Sequence, residues 1–112
     1  ILGAGGDRDK EKRILMGKSA NNADKIIITN DNPRNENEEE IAKDILNGID
    51  LNKDTEIILN RSEAIARGID NLDKDSVLLI LGKGHETIQE FKDNLIEFSD
   101  QDEVKKIIME NL

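Results

Sequence analysis

The sequence contains no cysteine, tryptophan or tyrosine, and only one proline, one histidine and two phenylalanines. Without cysteine there is no disulfide, no thiolate nucleophile and no cysteine-ligated zinc. With His85 as the lone histidine, a zinc site lacks its ordinary ligands. With Phe91 and Phe98 the only aromatics, the core has to come from Ile, Leu, Val and Ala. No apolar run approaches the roughly 20 residues that span a bilayer, and no secretion-signal pattern is present. The expectation is a soluble, cytoplasmic protein without a membrane partner. Positive charge is scarce as well: 16 Lys and Arg stand against 25 Asp and Glu, a net charge of −9. Nucleic-acid binding, which needs a concentrated basic face, is therefore not expected, although a local basic cluster can still hold a small anion.

What is present is ordered. Regular Ile and Leu blocks argue against disorder, and 112 residues suit one domain. The opening Ile1-Leu2-Gly3, already inside an apolar run and without Met, predicts a single domain (residues 1–112) taken from a longer enzyme. Ile26–Thr29, Glu56–Leu59 and Val77–Leu81 are short and rich in β-branched or apolar residues, as strands buried on both faces are. Ile1-Leu2 reads as the tail of a first strand. Helical spacing appears at Ile41, Ile45 and Ile49, and again at Ile65, Ile69 and Leu72, where Asn60 and Glu63 are placed as a capping box. A first helix is predicted over about Lys10–Ala23 on Ile14, Met16 and Ala20, and a last one on Val104, Ile107 and Ile108. This alternation predicts a Rossmann-like, doubly wound, mostly parallel α/β sheet with helices on both faces. An antiparallel edge hairpin is expected over Phe91–Phe98, turning at Asp93-Asn94.

In such sheets ligands bind at the carboxyl ends of the strands, and three polar loops fall there. The first is Gly3-Ala4-Gly5-Gly6-Asp7-Arg8-Asp9-Lys10. Its glycines predict a backbone that approaches an anion at the next helix's start, with Arg8, Lys10 and Arg13 beside it. A dinucleotide fingerprint would need glycine where Arg8 stands, and Gly17-Lys18-Ser19 lacks the leading glycine of a P-loop, at Lys12. The second loop, Asn30-Asp31-Asn32-Pro33-Arg34, offers amide and carboxylate groups and a guanidinium able to grip a carboxylate through two hydrogen bonds. By itself it is also ordinary turn chemistry. The third, Gly82-Lys83-Gly84-His85-Glu86, sets Glu86 where a carboxylate can pair with an ammonium, and a lone His85 is more often structural than catalytic. Two arginines, an asparagine and a glutamate at one edge match a zwitterion, an amino acid with a second charged group.

Taken together and in this order, the three segments closely resemble the carboxyl-terminal domain of the Mur ligases. Within that family they are most similar to the branch that adds meso-diaminopimelate to UDP-N-acetylmuramoyl-L-alanyl-D-glutamate. The resemblance covers essentially the whole chain, down to Phe98-Ser99-Asp100 before the last helix. It implies ATP-dependent amide-bond formation in peptidoglycan synthesis. ATP and Mg2+ would be bound mainly by a central domain absent here, as is the N-terminal domain, so the isolated chain is expected to be inactive and to hold no catalytic residue or metal ligand. The resemblance further implies that Arg8 and Arg34 hold the distal carboxylate of meso-diaminopimelate with help from Asn32. Gly82, through its backbone, and Glu86 would complete that site. Asp31, Pro33, Lys83, Gly84 and His85 would support the loops, and Lys10 and Arg13 are candidate ATP contacts when the domain closes over its central domain. A lysine-adding relative generally lacks an arginine at the position of Arg34. A folylpolyglutamate-synthase-like domain is opposed by the Asp31–Arg34 loop, and a non-catalytic nucleotide-binding α/β domain leaves Arg8, Arg34 and Glu86 together unexplained.

Overall fold

A computed structural model describes residues 1–112. The elements run α1 (Glu11–Ala20), β1 (Lys25–Ile28), α2 (Glu38–Leu46), β2 (Asp54–Ile57), α3 (Arg61–Asp70), β3 (Ile88–Phe91), β4 (Asn94–Glu97) and α4 (Asp100–Glu110). β1 pairs with β2 in parallel, Lys25 opposite Asp54 through Ile28 opposite Ile57. Hydrogen bonds continue the pairing past the regular ladder, from Ile58 N to Ile28 O (2.9 Å) and from Asn30 N to Leu59 O (3.2 Å). On the other side of β1, Leu2 forms a parallel bridge to Ile28. Beyond it the Ile1 amino group donates to Leu79 O (2.9 Å) and Leu81 N donates to Ile1 O (3.0 Å). The order across the sheet is therefore 77–81, Ile1-Leu2, β1, β2. The chain winds outward one way through β1 and β2, then returns across the sheet through α3. That is a doubly wound α/β arrangement, and its direction reverses between Ile1-Leu2 and 77–81.

Strand alternation divides the core between two faces. Ile26, Ile28, Leu2 and Ala4 cluster with Ile41, Ala42, Ile45 and Ile49 of α2 and its exit, with Met16 and Ala20 of α1 packed against them. The opposite face meets α3, where Ala64 and Ile65 are fully buried and a Cβ on Gly68 would lie 2.9 Å from Ile1 Cδ1 and 3.0 Å from Leu78 Cδ1. Each fully buried Ile contributes about 1.5–3 kcal/mol by leaving water. The caps follow the side-chain chemistry: Asn37, Asn60 and Ser99 each accept from the N–H three residues on, starting α2, α3 and α4.

Three expectations need correction. Val77–Leu81 forms no regular strand, its backbone pairing being confined to two hydrogen bonds with Ile1; Val77 and Leu79 are 84% and 62% exposed instead of buried on both faces. α1 ends at Ala20, and its buried residues are Arg13 and Gly17, while Ile14 is left 39% exposed. The cause is a reciprocal close approach to the α2 exit: a Cβ on Gly17 would fall 2.0 Å from Ile45 O, and one on Gly48 2.0 Å from Ile14 O. Finally, the hairpin forms earlier than expected, β3 pairing antiparallel with β4 from Ile88 opposite Glu97 to Phe91 opposite Asn94. It makes its own small sheet rather than an edge of the parallel one, attached through a bridge between Arg34 and Phe91.

Candidate functional site

The three polar loops leave the sheet at one edge, around the point where the winding reverses, the place such sheets offer a ligand. A buried ion pair holds their roots together. Arg61, the first residue of α3, donates from Nε and Nη2 to the two carboxylate oxygens of Asp100 (2.7 and 2.9 Å). Its Nη1 reaches Asn30 O (2.9 Å) and its Nη2 reaches Leu81 O (3.0 Å), the backbone just before the second and third loops.

At the centre lies Lys83, with no exposed side-chain surface. Its ammonium donates to Asn32 Oδ1 (3.0 Å), Asp31 Oδ1 (3.3 Å) and Glu86 Oε1 (3.5 Å). Asn32 Oδ1 also accepts from Glu90 N (2.9 Å), and Asn32 Nδ2 donates to Glu86 Oε1 (3.3 Å). Gln89 Nε2 donates to Asp31 O (2.8 Å) and steadies the same loop. Glu86 itself is 52% exposed, so one side of its carboxylate faces solvent.

Arg34 sits next to this cluster in a left-handed conformation, φ 52°. A non-glycine residue there costs of order 1–3 kcal/mol and persists only when its surroundings enforce it. They do: Arg34 N donates to Glu90 O (3.0 Å), Nε to Glu90 Oε2 (2.8 Å) and Nη1 to Gly6 O (2.9 Å). Nη2 makes no bond within the chain and is free for a ligand. Arg8 is exposed, held only by Nη1 donating to Asp7 O (3.1 Å). The two arginines nevertheless flank one spot: a Cβ on Gly5 would lie 2.9 Å from Arg34 Nη1 and 3.4 Å from Arg8 Cγ.

The glycine loop's shape has a different cause from the one expected. Its glycines make room for protein backbone, since a Cβ on Gly6 would fall 1.8 Å from Pro33 O, and Gly6 N donates to Asn32 O (2.7 Å). The first two loops are thus welded together. Asp7, also left-handed at φ 57°, donates its N–H to Glu36 Oε1 (2.7 Å) and accepts from Asn35 Nδ2 (2.9 Å).

Arg13 is 1% exposed and commits its guanidinium to Glu36 (2.8 and 3.0 Å), Asp44 (2.9 Å) and Gly5 O (3.0 Å). That hydrogen bonding holds the Glu36 carboxyl below its ordinary value of 4.5, with the Asp7 N–H adding to the effect, and raises the pKa of Arg13. Lys10, by contrast, is exposed at the start of α1. His85 and Gly84 are exposed too and join none of the side-chain hydrogen bonds of this edge. No group of three or more His, Asp or Glu stands close enough to hold a metal ion by itself.

Several residues of the edge carry no signal in the sequence. Glu90 lies 56 residues from Arg34, Glu36 lies 23 from Arg13, and Asp100 lies 39 from Arg61. Such ion pairs leave no periodicity. Asn30, which the sequence marks only as part of its loop, donates from Nδ2 to Glu38 Oε1 (2.9 Å) and ties that loop to α2.

The domain is thus a doubly wound α/β sheet that carries cationic and anionic groups at its switch point, where sheets of this class bind ligands. Residues 1–84 match the family described as Mur ligase, glutamate ligase domain, and the chain belongs to the Mur ligase family. It is similar to proteins named UDP-N-acetylmuramoyl-L-alanyl-D-glutamate--2,6-diaminopimelate ligase. That of Helicobacter pylori (strain J99) is 56% identical over 106 residues, 94% of this chain and 24% of the relative. That of Aquifex aeolicus (strain VF5) is 48% identical over 109 residues, 96% of this chain and 23% of the relative. A solved structure of a ligase of the same name superposes with a TM-score of 0.92 at 38% identity, covering 98% of this chain and 23% of that one. The chain thus spans about a quarter of the length of the curated relatives it matches.

Proposed function

We propose that residues 1–112 are the carboxyl-terminal, amino-acid-binding domain of a three-domain, ATP-dependent ligase that joins meso-diaminopimelate to UDP-N-acetylmuramoyl-L-alanyl-D-glutamate. The observation that carries this reading is the charge layout of the loop edge. Arg8 and Arg34 flank Gly5 with Arg34 Nη2 uncommitted, while Glu86, tied to Asn32, turns a free oxygen to solvent. Guanidinium groups suit carboxylates and Glu86 suits an ammonium, and meso-diaminopimelate carries two of each. The names of relatives about half identical to this chain support the same substrate.

In this reading the domain binds the incoming amino acid and swings onto a central domain that holds ATP and Mg2+. There ATP would phosphorylate the glutamyl carboxylate with release of ADP, and the amine would displace phosphate from the acyl phosphate to form the amide. This chain's part is to orient the amino acid and, on closure, to keep water from the acyl phosphate. Lys10, exposed at the start of α1, remains the candidate nucleotide contact in this reading, whereas Arg13, turned inward onto Glu36 and Asp44, would support the loop. Work in the cytoplasm fits this reading, and no helix is long and apolar enough to cross a membrane.

The test is steady-state kinetics of the longer enzyme that carries this domain. Losing a charged hydrogen-bonding partner costs about 1.5–3 kcal/mol, so Arg34→Ala should raise KM for meso-diaminopimelate by roughly 10- to 150-fold. KM for ATP should stay within about twofold. Unchanged KM for the amino acid overturns the assignment of Arg34. A wild-type enzyme that ligates lysine and ignores meso-diaminopimelate overturns the substrate.

A further inference from the structure

We infer that Lys83 is a positioning residue that sets the polarity of the amino-acid site, by fixing which end of the Asn32 side-chain amide faces the ligand; the inference rests on the function proposed above. An asparagine amide presents an acceptor on one side and two donors on the other, and unassisted it can rotate to offer either. Here two groups able only to donate, the Lys83 ammonium (3.0 Å) and the Glu90 backbone N–H (2.9 Å), meet at Asn32 Oδ1. The oxygen is thereby saturated from inside the protein and the NH2 group turned to the open edge, where one hydrogen goes to Glu86 Oε1 (3.3 Å). The other hydrogen is left for a ligand acceptor. Lys83 also reaches Glu86 Oε1 (3.5 Å), so both inner bonds fall on one oxygen and Oε2 is left for a ligand cation.

One buried ammonium therefore decides two recognitions at once: an N–H at Asn32 for a carboxylate, and a bare oxygen at Glu86 for an ammonium. The burial of Lys83 argues for this role, because a lysine with no exposed side-chain surface cannot itself meet a substrate. Holding it there is costly without partners, and its partners are Asp31, Asn32 and Glu86, all at this edge. A lysine serving only to neutralise Asp31 would not need the bond to the Asn32 amide.

The experiment is steady-state kinetics on the longer enzyme with Lys83→Met, Asn32→Ala and the double variant, each amino-acid titration paired with titrations of ATP and of the UDP-linked substrate. Lys83→Met is expected to raise KM for the amino acid at least tenfold, with kcat within about threefold and the other two KM values within about twofold. In the Asn32→Ala background the same change is expected to add clearly less than it does in wild type, since only its route through Glu86 remains. A general loss in which kcat and every KM change together, full additivity with Asn32→Ala, or an unmoved KM each overturns the inference. If Lys83→Met does not fold, Lys83→Gln, neutral and polar in the same space, carries the same expectations and the same refutations. Failure of the function proposed above has a separate signature: the wild-type enzyme does not use meso-diaminopimelate, and the Lys83 variants are then read on whichever amino acid it does join. If wild type uses meso-diaminopimelate and the Lys83 variants keep its KM, only the positioning role falls.

Discussion

The loop edge and the flank beside it are built on opposite principles. At the loop edge the inward-facing charges are matched inside the protein: Arg61 with Asp100, Arg13 with Glu36 and Asp44, Lys83 with Asp31 and Glu86, Arg34 with Glu90. On the flank between α1 and residues 71–82, an apolar groove of about 1080 Å³ lies open, with Leu15, Met16, Leu72, Val77 and Leu79 in its walls. The edge is determined by directional bonds that leave particular atoms free, such as Arg34 Nη2 and Glu86 Oε2. The flank has surface and no such direction. The geometry of the loop edge is therefore a property of ion pairs tying loop to loop, and the apolar core serves mainly to bring the strand ends side by side.

Breaking the edge should cost most. Arg61→Ala strands Asp100 in the interior and removes donors from Asn30 O and Leu81 O, so a loss of about 3–5 kcal/mol is expected in denaturant unfolding; undiminished stability would mean that this pair does not bind the loops together. Next comes the core beneath β1: Ile45→Ala, at a fully buried position, should lose about 2–5 kcal/mol. Acid should act in a narrower way. The Glu36 carboxyl titrates below its ordinary 4.5 when folded, so its contribution is complete above that pH and disappears as pH falls through the lowered value. Thermal melts between pH 6 and 3 should show Glu36→Gln less stable at the upper end and less sensitive to acid below about 4.5; parallel curves would refute the linkage. The flank should respond least: Leu79→Ala, mostly exposed, is expected to change stability by no more than about 0.5 kcal/mol. A loss as large as that of Ile45→Ala would show that the groove is closed in solution.

The two regions are also unequally legible in the sequence. α2 and α3 can be read because Ile41, Ile45 and Ile65 repeat at helical spacing behind an asparagine cap. α1 is legible as a helix, and Met16 and Ala20 pack on the core, but its two fully buried residues are an arginine and a glycine, and hydrophobic periodicity cannot register a guanidinium satisfied by distant carboxylates. Val77–Leu81 looks like a buried strand because composition says nothing of pairing, and its backbone bonds in the structure run only to Ile1. The loops of the edge are legible from residue types alone, and Arg8, Asn32, Arg34 and Glu86 all lie on them. Their arrangement is not. The bond from Arg34 to Glu90, the burial of Lys83 and the contact of Gly6 with Pro33 arise only when segments far apart in sequence meet.

One such meeting bears on how the chain reaches its shape. Ile1 is hydrogen-bonded to Leu79 and Leu81, closing a span of 78 residues. Loop closure over that length must precede the contacts that reward it, which slows folding in chains rich in distant pairings. During synthesis the Gly3–Lys10 segment precedes the rest of this domain and can be tied to the second loop, through Gly6 and Asp7, once residue 36 is available. The strand segment at its root gains its second neighbour only after residue 81 has appeared, so the support of the earliest loop is completed last.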